Sequence, residues 1–237
     1  TVTLEKELQT VIENNMETFF AVTFLASEYR TTDGGRMDSI GIDENHCPVI
    51  FEYKRSMKDN VINQGLFYLN WLLDHKDSFK VLVIEKLGLK AADNIDWTMP
   101  RVVCIAGDFT KYDESAIKQM NRNISLIRYK KFGNDMLMFE QINENVATAI
   151  SETDTPAKSK SSDKTFEEQI ATADDCIKTL YQDLTNYILS LGDDISETHL
   201  KLYSAFKKIK NIVTVVALKK KLIINIPLDV TTITFEE

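Results

Sequence analysis

Five residues of this 237-residue chain have the types and the spacing to do chemistry together: Asp38, Glu52, Tyr53, Lys54 and Gln64. Asp38 closes the glycine turn Gly34-Gly35-Arg36-Met37-Asp38, and Glu52-Tyr53-Lys54 ends the apolar run Pro48-Val49-Ile50-Phe51. Two carboxylates beside a lysine suit a hard divalent cation, which takes oxygen ligands, keeps several waters and needs only one or two protein carboxylates. Such a cation orients an attacking water and stabilises charge developing on phosphoryl oxygens. A lysine two residues beyond Glu52 projects beside it as a compact point charge. Gln64 brings both a donor and an acceptor. The chemistry that needs this set is phosphodiester cleavage. Taken singly, each residue has a duller explanation. Glu-x-Lys is most often a polar strand face, an Asp after two glycines a turn residue, and a Gln a surface helix position.

The elements around these residues decide whether they meet. Arg36–Asp43 and Pro48–Lys54 read as a hairpin across Glu44-Asn45-His46-Cys47. Strand side chains alternate faces. An odd loop count puts Asp38, Ile40 and Ile42 on the face of Ile50, Glu52 and Lys54, with Asp38 opposite Glu52. An even count sends the carboxylates to opposite faces, and there is no site. Leu4, Leu8, Val11 and Ile12 predict an opening helix to about Phe19, followed by a strand over Phe24–Tyr29. A helix over Asn60–His75 carries Ile62, Leu66, Leu69 and Leu73 on one face, which leaves Phe67 and Trp71 beside them as expected core. Lys80–Ile84 and Val102–Ala106 are short apolar runs, expected as central strands. A helix over Tyr112–Arg122 precedes strands over Ser125–Phe132 and Met136–Ile142. The order α-β-β-β-α-β-β-α-β-β predicts an α/β fold with a central mixed sheet flanked by helices.

The stretch from Glu28 to Leu73 resembles the PD-(D/E)XK nuclease superfamily, in particular its predicted-endonuclease domains. The residues that carry the likeness are Gly35-Arg36-Met37-Asp38-Ser39-Ile40-Gly41-Ile42-Asp43, then Pro48 to Arg55, then Asn63-Gln64-Gly65-Leu66-Phe67-Tyr68-Leu69-Asn70-Trp71-Leu72. Met37 stands where the superfamily name has Pro, a variable position. The resemblance covers residues 1 to about 145 and implies a restriction-endonuclease-like sheet. It implies that Asp38 and Glu52 bind Mg²⁺ (or Mn²⁺), aided by the Tyr53 carbonyl. By the same resemblance Lys54 activates or positions water, Gln64 supports it, and a Glu from the first helix joins them. Glu5 is the candidate for that last role, with Glu7 and Glu13 as rivals. Arg36, Arg55 and Lys58 are candidates for phosphate contacts. The implied partner is nucleic acid, DNA ahead of RNA; the alternative is a silent nucleic-acid or protein-binding module on the same fold.

Ser151–Thr165 breaks the pattern with Ser, Thr, Lys, Asp and Glu and no aromatic residue, and reads as a linker. The expected organisation is a nuclease-like domain over 1–150, the linker over 151–165 and a small α+β domain over 166–237. That last domain resembles a domain of unknown function found fused to such nuclease-like units, in a family sometimes labelled predicted transport protein; no apolar span or nucleotide-binding glycine loop here supports transport. Its helix starts at Asp174 or Asp175, carries a stripe of Ile177, Leu180, Leu184, Tyr187 and Leu191, and stops at Gly192. Asn211–Leu218 and Leu222–Leu228 read as paired strands, with Lys219-Lys220-Lys221 between them as a charged hairpin tip. Strand-like Thr231–Phe235 at the very end suggests that the domain is cut short. The net charge of −8 speaks against broad electrostatic adhesion to nucleic acid but leaves room for a local basic groove, for which Arg128, Lys130 and Lys131 are candidates alongside a solvated edge strand. Three scattered cysteines give no disulfide framework or zinc pattern, which suggests a reducing cytoplasm. No membrane partner is expected, and a homodimer is left open.

Overall fold

The structure is a computed structural model that describes residues 2–54, 61–133, 136–145 and 164–228. The chain divides into two compact units, Thr1–Glu152 and Thr153–Glu237. In the first, α1 (Val2–Asn14) and α2 (Met16–Phe20) precede three antiparallel strands, β1 (Val22–Arg30), β2 (Arg36–Asp43) and β3 (Pro48–Lys54). Three helices follow: α3 (Val61–Asp74), α4 (Lys76–Leu87) and α5 (Leu89–Asp93). The unit closes with β4 (Arg101–Ala106), α6 (Lys111–Ile117), β5 (Asn123–Phe132) and β6 (Met136–Asn145). The six strands form one sheet in sequence order. Strands β3, β4 and β5 are mutually parallel, while β1, β2 and β6 pair antiparallel with their neighbours. This is the mixed α/β sheet flanked by helices that the sequence predicts.

Alternation along the strands sorts the two faces. Ile40, Ile42, Ile50, Val102, Cys104, Ile124 and Leu126 bury one face against α3, α4, α5 and α6. The other face meets α1 and α2, where the Phe20 ring stands 5.2 Å from Phe51. Gly65 lets α3 lie close on β4, because a Cβ there would sit 2.5 Å from Val102 Cγ1. The buried Asp43 carboxylate closes the β2–β3 loop by accepting the N–H groups of Asn45 at 2.9 Å and Cys47 at 2.8 Å, and it pairs with Arg101.

Three expectations need correction here. Lys80–Ile84 is not a strand but lies inside α4. Its apolar residues follow a helical phase, with Phe79, Leu82 and Val83 buried and Val81 and Ile84 exposed. A run of four apolar residues does not distinguish a buried strand from a helix segment by periodicity. The helix expected to Arg122 stops at Ile117. Phe67 is not core: its side chain is 50% exposed, whereas Trp71 is buried.

The second unit carries α7 (Phe166–Ala171), α8 (Asp175–Ser190) and four antiparallel strands, β7 (Ser196–His199), β8 (Ser204–Lys207), β9 (Asn211–Leu218) and β10 (Lys221–Asn225), in the order β10-β9-β8-β7. Helix α7 has no counterpart in the sequence reading; Thr165 caps it in a capping box with Glu168. The stripe expected on α8 is rotated. Ile177 and Ile188 are buried, with Tyr181 and Leu184 packed beside Ile188, while Leu180, Tyr187 and Leu191 are exposed. The strand expected over Thr231–Phe235 and most of the linker lie outside the described residues. Among the described residues no helix is long and apolar enough to cross a membrane.

Candidate active site

Five residues, Asp43 to Cys47, lie between the last cross-strand pair, Ile42 and Pro48, so the count is odd. Ile42 faces Pro48, Ile40 faces Ile50 and Ser39 faces Phe51, so the same register sets Asp38 opposite Glu52. The ladder stops at Ser39–Phe51. Beyond it each carboxylate takes a backbone N–H from the other strand. Glu52 Oε1 accepts from the Asp38 N–H at 3.2 Å, and Asp38 Oδ2 accepts from the Tyr53 N–H at 3.0 Å. A glycine turn delivers Asp38 to this point. Gly34 has φ +87°, and a Cβ on Gly35 would lie 2.7 Å from both Thr31 Oγ1 and the Tyr68 ring.

Glu52 is fully buried, and its second oxygen, Oε2, meets no hydrogen-bond donor among the described residues. It stands beside Cys104 in the β3–β4 register. Burial first, and the Asp38 charge second, push the Glu52 carboxyl up to about 9. Burial also raises the Asp38 carboxyl, opposed by the Tyr53 N–H and the Lys54 charge. A buried carboxyl whose ionisation is opposed by a neighbouring carboxyl is relieved by keeping its proton or by taking a cation.

That gives a physical test of whether a divalent cation fits. An unpartnered buried carboxylate oxygen next to a second carboxyl is the donor set such an ion uses. Among the described residues no group of three or more His, Cys, Asp and Glu converges. An ion here would take Asp38, Glu52, the Tyr53 carbonyl that the sequence resemblance implies, and water.

Lys54 ends β3 with its side chain 17% exposed, and its charge acts on both carboxylates. Its Nζ lies 3.7 Å from Glu5 Oε1, so Glu5 of α1 is brought to the lysine. Of its rivals, Glu7 is exposed, and Glu13 is engaged behind the strands by Ser39 Oγ at 2.6 Å and Gln9 Nε2 at 2.8 Å. Gln64 lies in the second turn of α3. Its Nε2 donates to the Tyr68 hydroxyl at 3.3 Å, which also accepts the Arg36 N–H at 3.1 Å. Gln64 therefore reaches the turn that leads to Asp38 through Tyr68. Arg36 is exposed and pairs with Glu28 at 2.7 Å. Arg55 and Lys58 lie outside the described residues.

Of the basic residues considered on β5, Arg128 is held by Asp108 at 2.9 Å and Glu140 at 2.7 Å. Sequence reasoning missed Gln9, a buried amide on α1. The available signal was its position one turn after Glu5 and between Leu8 and Ile12, where a polar side chain points toward the inner face.

Fold and site together define a mixed α/β protein with two carboxylates and a lysine at the carboxyl end of β3, the first of three parallel strands. The chain belongs to the same family as an uncharacterized protein of Haemophilus influenzae (strain ATCC 51907 / DSM 11121 / KW20 / Rd). The two are 32% identical over 236 residues, which cover 94% of this chain and 78% of that protein. No family model matches the chain. Among solved structures it is similar to a repair endonuclease from Pyrococcus abyssi, at 17% identity and a TM-score of 0.34, over 52% of this chain and 45% of that one. It is also similar to EndoMS in the EndoMS–dsDNA2 complex, at 19% identity and a TM-score of 0.33, over 54% of this chain and 46% of that one. The chain thus spans less than half the length of either solved protein.

Proposed function

We propose that the first unit is a metal-dependent nuclease that hydrolyses phosphodiester bonds of nucleic acid, DNA ahead of RNA. The observation that carries this reading is the Asp38–Glu52 pair: two carboxyls set opposite each other where the β2–β3 ladder ends, one of them buried with an oxygen that meets no donor among the described residues. A bound Mg²⁺ or Mn²⁺ would supply Lewis acidity toward the scissile phosphate and toward water. Asp38 and Glu52 would hold that ion, with Glu52 giving up its proton to do so. Lys54 places its ammonium beside them, where it meets a phosphate oxygen or the attacking water. Glu5 orients Lys54 from α1. Gln64 and Tyr68 steady the glycine turn that carries Asp38, and exposed Arg36 contacts the phosphate backbone.

The test is incubation of labelled single- and double-stranded DNA and RNA with the full chain in Mg²⁺ or Mn²⁺. The reading expects metal-dependent cleavage by the wild type and its loss in Asp38→Ala and Lys54→Ala. Nucleic-acid binding without cleavage on every substrate would replace this reading with that of a silent binding module. Neither binding nor cleavage would remove both.

A further inference from the structure

Asp38 is held in an unusual way for a strand residue. On its β1 side the pairing steps from Ser27–Ser39 to Tyr29–Met37 and skips Glu28–Asp38. Glu28 has φ +54°, a left-handed conformation that turns it out of the ladder. On the β3 side the pairing has already ended at Ser39–Phe51. Asp38 therefore sits where neither neighbouring strand fixes it by a regular ladder.

Side chains take over. Gln9 is buried, with 4% of its surface exposed, and its Nε2 donates to the Asp38 carbonyl at 2.8 Å. The same nitrogen meets Glu13 Oε1 at 2.8 Å and Ser27 Oγ at 3.1 Å. A carbonyl and a carboxylate only accept, so the amide nitrogen must face them. Lys6 Nζ lies 3.2 Å from the amide oxygen, which fits the same orientation. Glu13 in turn accepts from Ser39 Oγ at 2.6 Å, and Ser39 Oγ accepts from the Tyr53 hydroxyl at 3.1 Å. Ser39 follows Asp38 and Tyr53 follows Glu52. The chain of bonds thus touches both strands at the residue next to each carboxylate, from the opposite face of the sheet.

We propose that Gln9 is a positioning residue: its side-chain amide replaces the missing ladder at Asp38 and sets where that carboxylate stands against Glu52. The consequence for cation binding rests on the metal-site reading above; the positioning itself does not.

The experiment follows backbone amide exchange and Mn²⁺ affinity in the full chain. In Gln9→Met, the Asp38 and Tyr53 amides, which form the two cross-strand bonds, should lose at least about tenfold more protection than the Ile105 amide of β4. Mn²⁺ affinity should fall by about tenfold, the scale seen when groups that orient a metal ligand are removed. Ile117→Val in α6 is the control, and should lower protection evenly and leave Mn²⁺ affinity unchanged. Should Gln9→Met not fold, wild-type exchange in graded denaturant decides. The Asp38 and Tyr53 amides should open together with α1 and before Ile105. Loss of protection at Asp38 and Tyr53 that only tracks Ile105 would overturn the proposal. If the wild type binds no Mn²⁺, the metal reading fails, and the exchange result still decides the role of Gln9.

Discussion

Asp38 and Glu52 are linked across the strands through their backbones as well as by charge. The Asp38 N–H donates to Glu52 Oε1, and Asp38 Oδ2 accepts the Tyr53 N–H. The bonds fix one oxygen of each carboxylate and leave Glu52 Oε2 in a buried space with no donor among the described residues.

That space makes stability depend on pH. Glu52 is raised to about 9 by burial and by Asp38. A raised carboxyl contributes stability that is full below its ordinary value and lost as pH rises through the folded one. Metal-free protein should therefore lose stability from pH 5 to pH 9, with a limiting slope of about 1.4 kcal/mol per pH unit per proton. Denaturant midpoints in EDTA at pH 5, 7 and 9 measure it. Glu52→Gln should flatten the trend, and a wild type that gains stability over this range would contradict the assignment.

Cation binding should run the other way. The carboxyls must release a proton to take a cation. Mg²⁺ or Mn²⁺ affinity should rise by about tenfold per pH unit for each proton released, up to about pH 9. Calorimetric titrations in buffers of different ionisation heat count that proton directly, and pH-independent affinity would exclude Glu52 as a ligand.

Lys54 separates binding from chemistry. Its positive charge opposes a second cation, so Lys54→Met should bind Mn²⁺ as tightly as the wild type or more so. Cleavage should still fall by about 100-fold or more, the range for a positioned proton-transfer or charge group. Equal losses of Mn²⁺ affinity and cleavage would mean that Lys54 acts only through the metal.

Two changes test the scaffold. Gly35→Ala forces a Cβ to within 2.7 Å of Thr31 Oγ1 and Tyr68, and overpacking of this kind costs about 1–3 kcal/mol. Asp43→Ala removes the Arg101 partner and two N–H acceptors at the β2–β3 loop. Breaking a buried ion pair from one side costs about 3 kcal/mol or more. Thermal or denaturant unfolding reads both, and an Asp43→Ala protein as stable as the wild type would show that the loop does not depend on that pair.

The two strands that bear the site were legible to the residue. Gly34-Gly35 marks where β2 begins, and the apolar run from Pro48 marks β3. The loop parity was not, because it depends on Asp43 folding its carboxylate over Asn45 and Cys47 with Arg101, 58 positions away in sequence, against it. Lys80–Ile84 misled because a short apolar run carries too few residues to show its period. The place of Gln9 on the inner face of α1 had a signal in Leu8 and Ile12, but its task did not: the need for it arises only where Glu28 leaves the ladder, and a single left-handed residue in a strand has no sequence signature.

The parallel pairing of β3 with β4 has a consequence for how this unit assembles. Strands β1, β2 and β3 are neighbours in sequence and pair through short turns, so they form early. β4 arrives only after the crossover through α3, α4 and α5. Until it docks, Glu52 faces water and is ionised at neutral pH. Docking Cys104 beside it removes that water, so at pH 7 the step that closes β4 onto β3 takes up about one proton, or a cation in its place. The rate of that step should then respond to pH and to Mg²⁺, while the early hairpins should not.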